Sequence, residues 1–175
     1  MSCSFEKTEN GRMMAVLSFK RDQLIYDVEN YAYIEGSIMK TERAHERHTV
    51  QDAGQEGNKD RISRVLDLYV AQARELLYVY TKHKIRRPWL NNILKDPAIY
   101  GIVLDLPVDF SQTTLNLLER LIHEYIVCGA VADWMSITNP EKAEIWLRKS
   151  DGAKEEIQSH TGRRMSKTRR KLSPF

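Results

Sequence analysis

Five histidines and two cysteines are the side chains of this 175-residue sequence best suited to metal or nucleophilic chemistry. His45 and His48 stand three residues apart with Glu42 and Glu46 beside them. On a helix that spacing sets two imidazoles and a carboxylate on one face, a partial ligand set for a divalent metal. A third and fourth ligand at recognisable spacing are missing and the stretch is polar throughout, so the reading taken is a solvated charged face and no metal. His123-Glu124 lacks the second histidine four residues on that a zinc-protease helix requires, which makes His123 a boundary residue packed sideways. Cys128 lies inside an apolar run, where a small buried hydrophobe is expected rather than a reactive thiol. Neither a GxSxG elbow, a CxxC pair, a phosphate-binding loop nor a GxGxxG turn occurs, so the expectation is a protein that is not an enzyme and needs no cofactor.

Cations are the other chemistry on offer. The formal net charge of +3 is unevenly spread, because Arg163, Arg164, Lys167, Arg169, Arg170 and Lys171 fall in one acid-free stretch and leave about −3 for the remainder. Blocks of this kind serve as interaction arms. Leu172 and Phe175 follow, giving a basic strap with an apolar end, suited to an acidic protein groove and also to DNA. A second cluster, Lys82, Lys84, Arg86 and Arg87, sits beside Tyr80 and Trp89. Interleaved rings and cations of this kind stack bases and follow a phosphate backbone, but solvated charges over a core tryptophan are the simpler account.

These groups must be positioned by helices. The run 110–139, FSQTTLNLLERLIHEYIVCGAVADWMSITN, repeats apolar residues in steps of three and four at Leu115, Leu118, Ile122, Tyr125, Ile126, Gly129, Val131 and Ala132, which predicts a helix with one broad apolar stripe. At ~1.5 Å per residue it measures roughly 35 to 40 Å, enough to be the post of a bundle. Asp109 or Ser111 caps it. Asn139-Pro140 with Glu141 then signals a new helix start, whose stripe is Ala143, Trp146, Leu147, Ser150, Ala153 and Ile157, ending at Gly162. The short connection folds this last helix back beside the post.

Upstream, Leu24, Ile25, Val28, Tyr31 and Ala32 recur at helical spacing with Ser18 as a candidate cap, while residues 1–17 read as a flexible segment. Residues 40–58 are hydrophilic and read as a loop or frayed helix. A second helix over residues 61–82, capped by Asn58 or Asp60, carries Ile62, Val65, Leu66, Tyr69, Ala73, Leu76, Leu77 and Tyr80 on one face and Arg64, Asp67, Gln72, Arg74 and Glu75 toward water. Pro88, Pro97 and Pro107 make 83–110 an irregular arm. Within it Ile99 to Leu106 has strand propensity without an obvious partner, so a neighbouring copy's edge or the Tyr31 to Ile34 run is a candidate. The expected architecture is all-α: about four helices around one central helix, 18–162 forming a single domain, with the arm inserted and 163–175 a basic extension. No signal-peptide layout opens the sequence, and Glu119, Arg120, His123, Glu124 and Asp133 interrupt the most apolar helix. A soluble intracellular product with no membrane partner is expected.

The helix with AQARELLYVYTK, the proline-bearing segment, the apolar helix LLERLIHEYIVCGAVADW, the helix PEKAEIWLRKSDGAKEEI and the basic end together resemble the helical head-to-tail connector, or adaptor, proteins of tailed bacteriophages. The matching traits are Ala73-Arg74 with Tyr80-Thr81, the aliphatic helix ending at Trp134, and Ala143 with Trp146-Leu147. The likeness covers Asp60 to Gly162, and the first 57 residues lie outside it. The resemblance implies a structural virion protein assembled in the host cytoplasm: a homo-oligomeric ring of twelve copies beneath the portal, joined to tail components and touching channel DNA, with no small-molecule substrate. It also implies that the strap Arg163 to Phe175 clasps the portal or a neighbouring copy, and that Arg86, Arg87, Trp89, Ile99, Tyr100, Ile102 and Leu104 form an interface arm between copies. The alternative from a different class is a small helical nucleic-acid-binding protein using the basic end.

Overall fold

Alternating burial begins at Arg12, where RMMAVLSFK points Ala15, Leu17 and Phe19 into the interior and leaves the residues between them at least partly exposed. Period two of this kind is the mark of a strand with one buried face. The structure, a computed structural model, describes residues 4–8, 12–40, 44–81, 97–107 and 110–162. Strand β1 (Ser4–Thr8) and strand β2 (Arg12–Lys20) pair antiparallel, and β2 pairs antiparallel with strand β3 (Ile99–Pro107) in a three-stranded sheet of order β1-β2-β3. The register sets Phe19 opposite Tyr100, Leu17 opposite Ile102, Ala15 opposite Leu104 and Met13 opposite Leu106, so one sheet face is apolar across both strands. On the other face Arg12 Nε donates to Asp105 Oδ1 at 2.8 Å.

Three expectations change here. Residues 12–17 belong to β2 and supply Ala15 and Leu17 to the core instead of forming a loose leader; and Ser18 belongs to β2 instead of capping a helix. The strand at Ile99 pairs within the chain, with a partner about eighty positions earlier, so it is not an arm left over for a neighbouring copy. The chain is therefore mostly helical with a small antiparallel sheet, not all-α.

Helix α1 (Arg21–Ile38) follows β2 without a connecting loop, and its first amide, Arg21 N, donates to Ala98 O at 3.0 Å, tying it to the strand end. Leu24, Val28 and Ala32 face inward as their spacing predicts. The aromatic, β-branched run Tyr31 to Ile34 stays helical, because its helical neighbours bury one side of it and no strand edge is near. The hydrophilic 40–58 stretch holds helix α2 (Ala44–Gln51) and a 3-10 turn (Asp52–Gly54), pinned by the two small apolar residues Val50 and Ala53, both fully buried. Gly36 makes room for α2, as a methyl there would run into the Gln51 side chain and the Arg47 carbonyl.

Helix α3 (Glu56–Leu76) starts earlier than its cap signals, with Gln55 at the N-cap, and α4 (Tyr78–Thr81) continues it after a jog at Leu77. Helix α5 (Gln112–Thr138) is capped by Ser111, whose hydroxyl accepts from Thr114 N at 3.4 Å. Asn139 N closes α5 on Met135 O at 2.8 Å while Asn139 O accepts the first bond of α6 (Pro140–Gly162) from Lys142 N at 3.0 Å, so a single residue serves both helices. None of the described helices is long and apolar enough to cross a membrane.

Burial along α5 exceeds the predicted stripe. Every residue from Tyr125 to Ala132 is buried, eight in succession, which requires packing on all sides. Small side chains make this geometry accessible. A methyl on Gly129 would overlap the Tyr69 ring, which stands edge-on to Tyr125 with centroids 5.2 Å apart.

Two substitutions test this packing. Leu17→Ala should lower unfolding free energy by ~2–5 kcal/mol, as for a large-to-small change in a core, measured by urea denaturation; a loss near zero would return β2 to the status of a loose leader. Gly129→Ala should cost ~1–3 kcal/mol through overpacking, and adding Tyr69→Ala should recover part of the Gly129→Ala cost in a double-mutant cycle.

Candidate functional site

Each helix around α5 holds it with a polar tie as well as apolar contact. From α1, Asp27 Oδ2 lies 2.8 Å from His123 Nε2, and Asp27 Oδ1 accepts from Gln23 Nε2 at 3.0 Å. From α2, Val50 O accepts from Trp134 Nε1 at 2.9 Å in a buried setting. From α3, Gln72 Oε1 accepts from Tyr125 OH at 2.8 Å and Arg61 pairs with Asp133 at 3.0 Å. From α6, Ser150 Oγ donates to Tyr125 O at 3.1 Å. Buried groups joined this way satisfy each other and fix the helical register.

The histidines therefore divide. His123 is the boundary residue the sequence suggests, tied to Asp27 and lying 6.5 Å from the Phe19 ring. A shallow depression of about 210 Å³ opens beside it, lined by Ser18, Phe19, Lys20, Gln23, Asp27 and His123. Its Asp–His pair is spent on joining α1 to α5. His45 and His48 are exposed on α2, Glu42 lies outside the described residues, and among the described residues no three metal-ligating side chains come together. Burial and the nearby Glu124 carboxylate push the Cys128 thiol up to about 11, which leaves little thiolate near neutrality.

The predicted interface arm divides as well. Arg86, Arg87 and Trp89 lie outside the described residues, whereas Tyr100, Ile102 and Leu104 are core residues at 3% exposure or less. A face already covered by the protein's own helices cannot meet another copy; only Ile99, at the strand's start, is exposed. Tyr100 OH donates to Asp67 and Arg74 Nη2 donates to Gly101 O at 3.0 Å, so two residues of the water-facing side of α3 also hold the edge of β3. The strap residues Arg163, Arg164, Lys167, Arg169, Arg170, Lys171, Leu172 and Phe175 also lie outside the described residues.

One surface went unforeseen. Ile34, Ile38, Ile137 and Ile145 are 46% to 59% exposed. Ile34 and Ile38 lie on the last turns of α1, where Glu35 accepts from Trp146 Nε1 at 3.1 Å and pairs with Lys142 at 3.2 Å, so they stand beside the first turns of α6 that carry Ile145; Ile137 ends α5 on the side of Asp133 and Trp134. Leu147, counted in the core stripe of α6, is 46% exposed; two residues from Ile145, it opens on the opposite flank of α6. Apolar residues clustered at one end of a helical protein mark a place of contact. The signal available was the offset of Ile34 and Ile38, four apart and off the buried stripe of α1.

Comparison with protein-family models, curated proteins and solved structures yields no match to this chain.

Alkaline pH reports on the α3–α5–α6 joint. Burial, then the neighbouring Tyr69 and Asp151, raise the Tyr125 phenol to about 12, and burial with the Asp67 hydrogen bond also raises Tyr100. An unfolded chain releases these protons near pH 10. Between about pH 10 and 12 the folded state thus holds more protons than the unfolded state, and stability falls as pH rises. The urea midpoint should drop across that window, and the drop should be smaller in Tyr125→Phe; an equal drop in both would remove Tyr125 as its source.

Proposed function

We propose that this chain is a structural assembly protein of the head-to-tail connector class, acting as a ring of copies between a portal and the tail components of a virion. The observation that carries the reading is the α5–α6 hairpin itself. It is rigid where the resemblance lies and delivers its two ends to opposite purposes: an apolar surface at the Asn139-Pro140 turn, and the start of the basic segment beyond Gly162. The residues that bear the resemblance sit at its joints. Ala73 is buried, Tyr80 OH lies 3.5 Å from Thr161 O, Trp134 holds α2, and Trp146 packs 4.9 Å from the Tyr31 ring while accepting Lys149 over its face. With Tyr80, Trp134 and Trp146 engaged in these joints, ends and surfaces are left to do the work, as an assembly protein requires.

The bundle about α5 is the body of each ring subunit in this reading, and the acidic balance of that body against its basic end supplies the polarity along which copies and neighbours meet. Channel DNA is a contact of the same basic end.

Purified full-length chain should form ring-sized oligomers alone or on addition of portal protein, seen by light scattering and negative-stain microscopy. A strictly monomeric chain without portal affinity would sink the connector reading. If instead the chain stays monomeric and binds duplex DNA with a steep salt dependence, log affinity falling by up to ~0.9 per phosphate neutralised for each log unit of salt, the nucleic-acid reading replaces it.

A further inference from the structure

The outward side of α6 carries Glu141, Glu144, Asp151 and Glu155, all exposed and spaced three, seven and four apart, which places them in one row. Arg148 is the one cation in that row, and Glu144 already engages it. The row leads from the C-terminal end of α6 to the isoleucine surface at its N-terminal end. An acidic track that ends on an apolar patch is the complement of a basic peptide that ends in apolar residues. This chain contains such a peptide, and it starts where the track starts: Arg163, Arg164, Lys167, Arg169, Arg170 and Lys171, then Leu172 and Phe175.

Lengths agree with charges. From Gly162 back to Ile145 is seventeen helical residues, about 25 Å at ~1.5 Å each. The ten residues from Arg163 to Leu172 can span up to ~33 Å at ~3.3 Å each. The surplus of about 8 Å, the difference of those two spans, is enough for a chain reversal at Gly162. The last cations would then face Asp151 and Glu144, and Leu172 to Phe175 would meet Ile145, Ile38 and Ile34.

We propose that the outer face of α6 and the isoleucine surface at the α5–α6 turn form a docking track whose occupant is residues 163–175 of the same chain. The isolated chain then covers its own apolar surface, and a partner must displace the strap to reach it. Nothing in this inference requires a ring: it concerns one copy and its own end, so it stands or falls separately from the connector reading.

Paired cysteines in the full-length chain test it. In a Cys3→Ser background, with Cys128 left buried, Ile145→Cys and Phe175→Cys should form an intrachain disulfide at micromolar protein at least about tenfold faster than the control pair Tyr26→Cys and Phe175→Cys, because a tethered partner on a short chain acts at millimolar effective concentration only where geometry allows. Raising salt to about 1 M should slow the reaction several-fold, since screening weakens the exposed ion pairs. Glu144→Lys with Asp151→Lys and Glu155→Lys should do the same, with circular dichroism confirming that the helices are retained. Equal rates for both pairs would overturn the proposal. So would disulfides that form only between chains and scale with concentration, which would make the occupant the end of another copy.

Discussion

The constraint on which the fold depends is the run of eight consecutive buried residues in α5, Tyr125 to Ala132. A helix buried on all sides needs neighbours that approach closely, and close approach needs small residues. Cys128, Gly129, Ala130 and Ala132 meet that need, while Tyr125 and Trp134 fill the space where neighbours stand further off. The apolar contacts alone would let the surrounding helices slide, because burial is non-directional. Direction comes from hydrogen bonds that reach α5 from α1, α2, α3 and α6, to His123, to Trp134, and to the hydroxyl and the carbonyl of Tyr125. Losing any one leaves a buried donor or acceptor unmatched, a penalty larger than the bond's net contribution, so the register of the whole assembly is set by a handful of polar contacts inside an apolar frame.

How far this was legible depended on the distance over which each signal acts. The α5 stripe, the Ser111 cap and the Asn139-Pro140 restart are local and period-based, and all are present. The sheet was obscured for a physical reason. In RMMAVLSFK the residues next to the buried Ala15, Leu17 and Phe19 include Met14 and Val16, themselves apolar, so the alternation is blurred, and the partner strand lies some eighty or more positions on. Asn10-Gly11, the dipeptide most favoured in tight hairpins, stands between β1 and β2 and was the available clue. Polar residues carry a second role that composition does not show. Asp67, Gln72 and Arg74 read as a water-facing side, and Gln72 and Arg74 are exposed, yet each also bonds a group on β3 or α5.

The chemistry-bearing residues follow the same logic. His123, Asp27, Tyr125 and Cys128 are the groups a search for reactivity finds first, and each is engaged or shielded. Their environments favour the neutral or paired form that holds helices together. Exposed by contrast are the isoleucines near the α5–α6 turn and the acids along α6, of which Glu144 pairs with Arg148. These exposed groups lie where α6 begins and along its length.

Placing both on one helix has a mechanical consequence. Helix α6 is docked on α5 through Trp146, Ser150 and Ile157, all buried, with no insertion between the two helices beyond Asn139. A hairpin of this kind keeps the two ends of α6 a fixed distance apart, about 35 Å for 23 residues at ~1.5 Å each. Two partners bound at the two ends would be held at that separation, and a bend in α6 large enough to change it would have to unpack Trp146 from Tyr31 and Glu35 first. The aromatic joint between α1 and α6 is what turns a helical hairpin into a spacer.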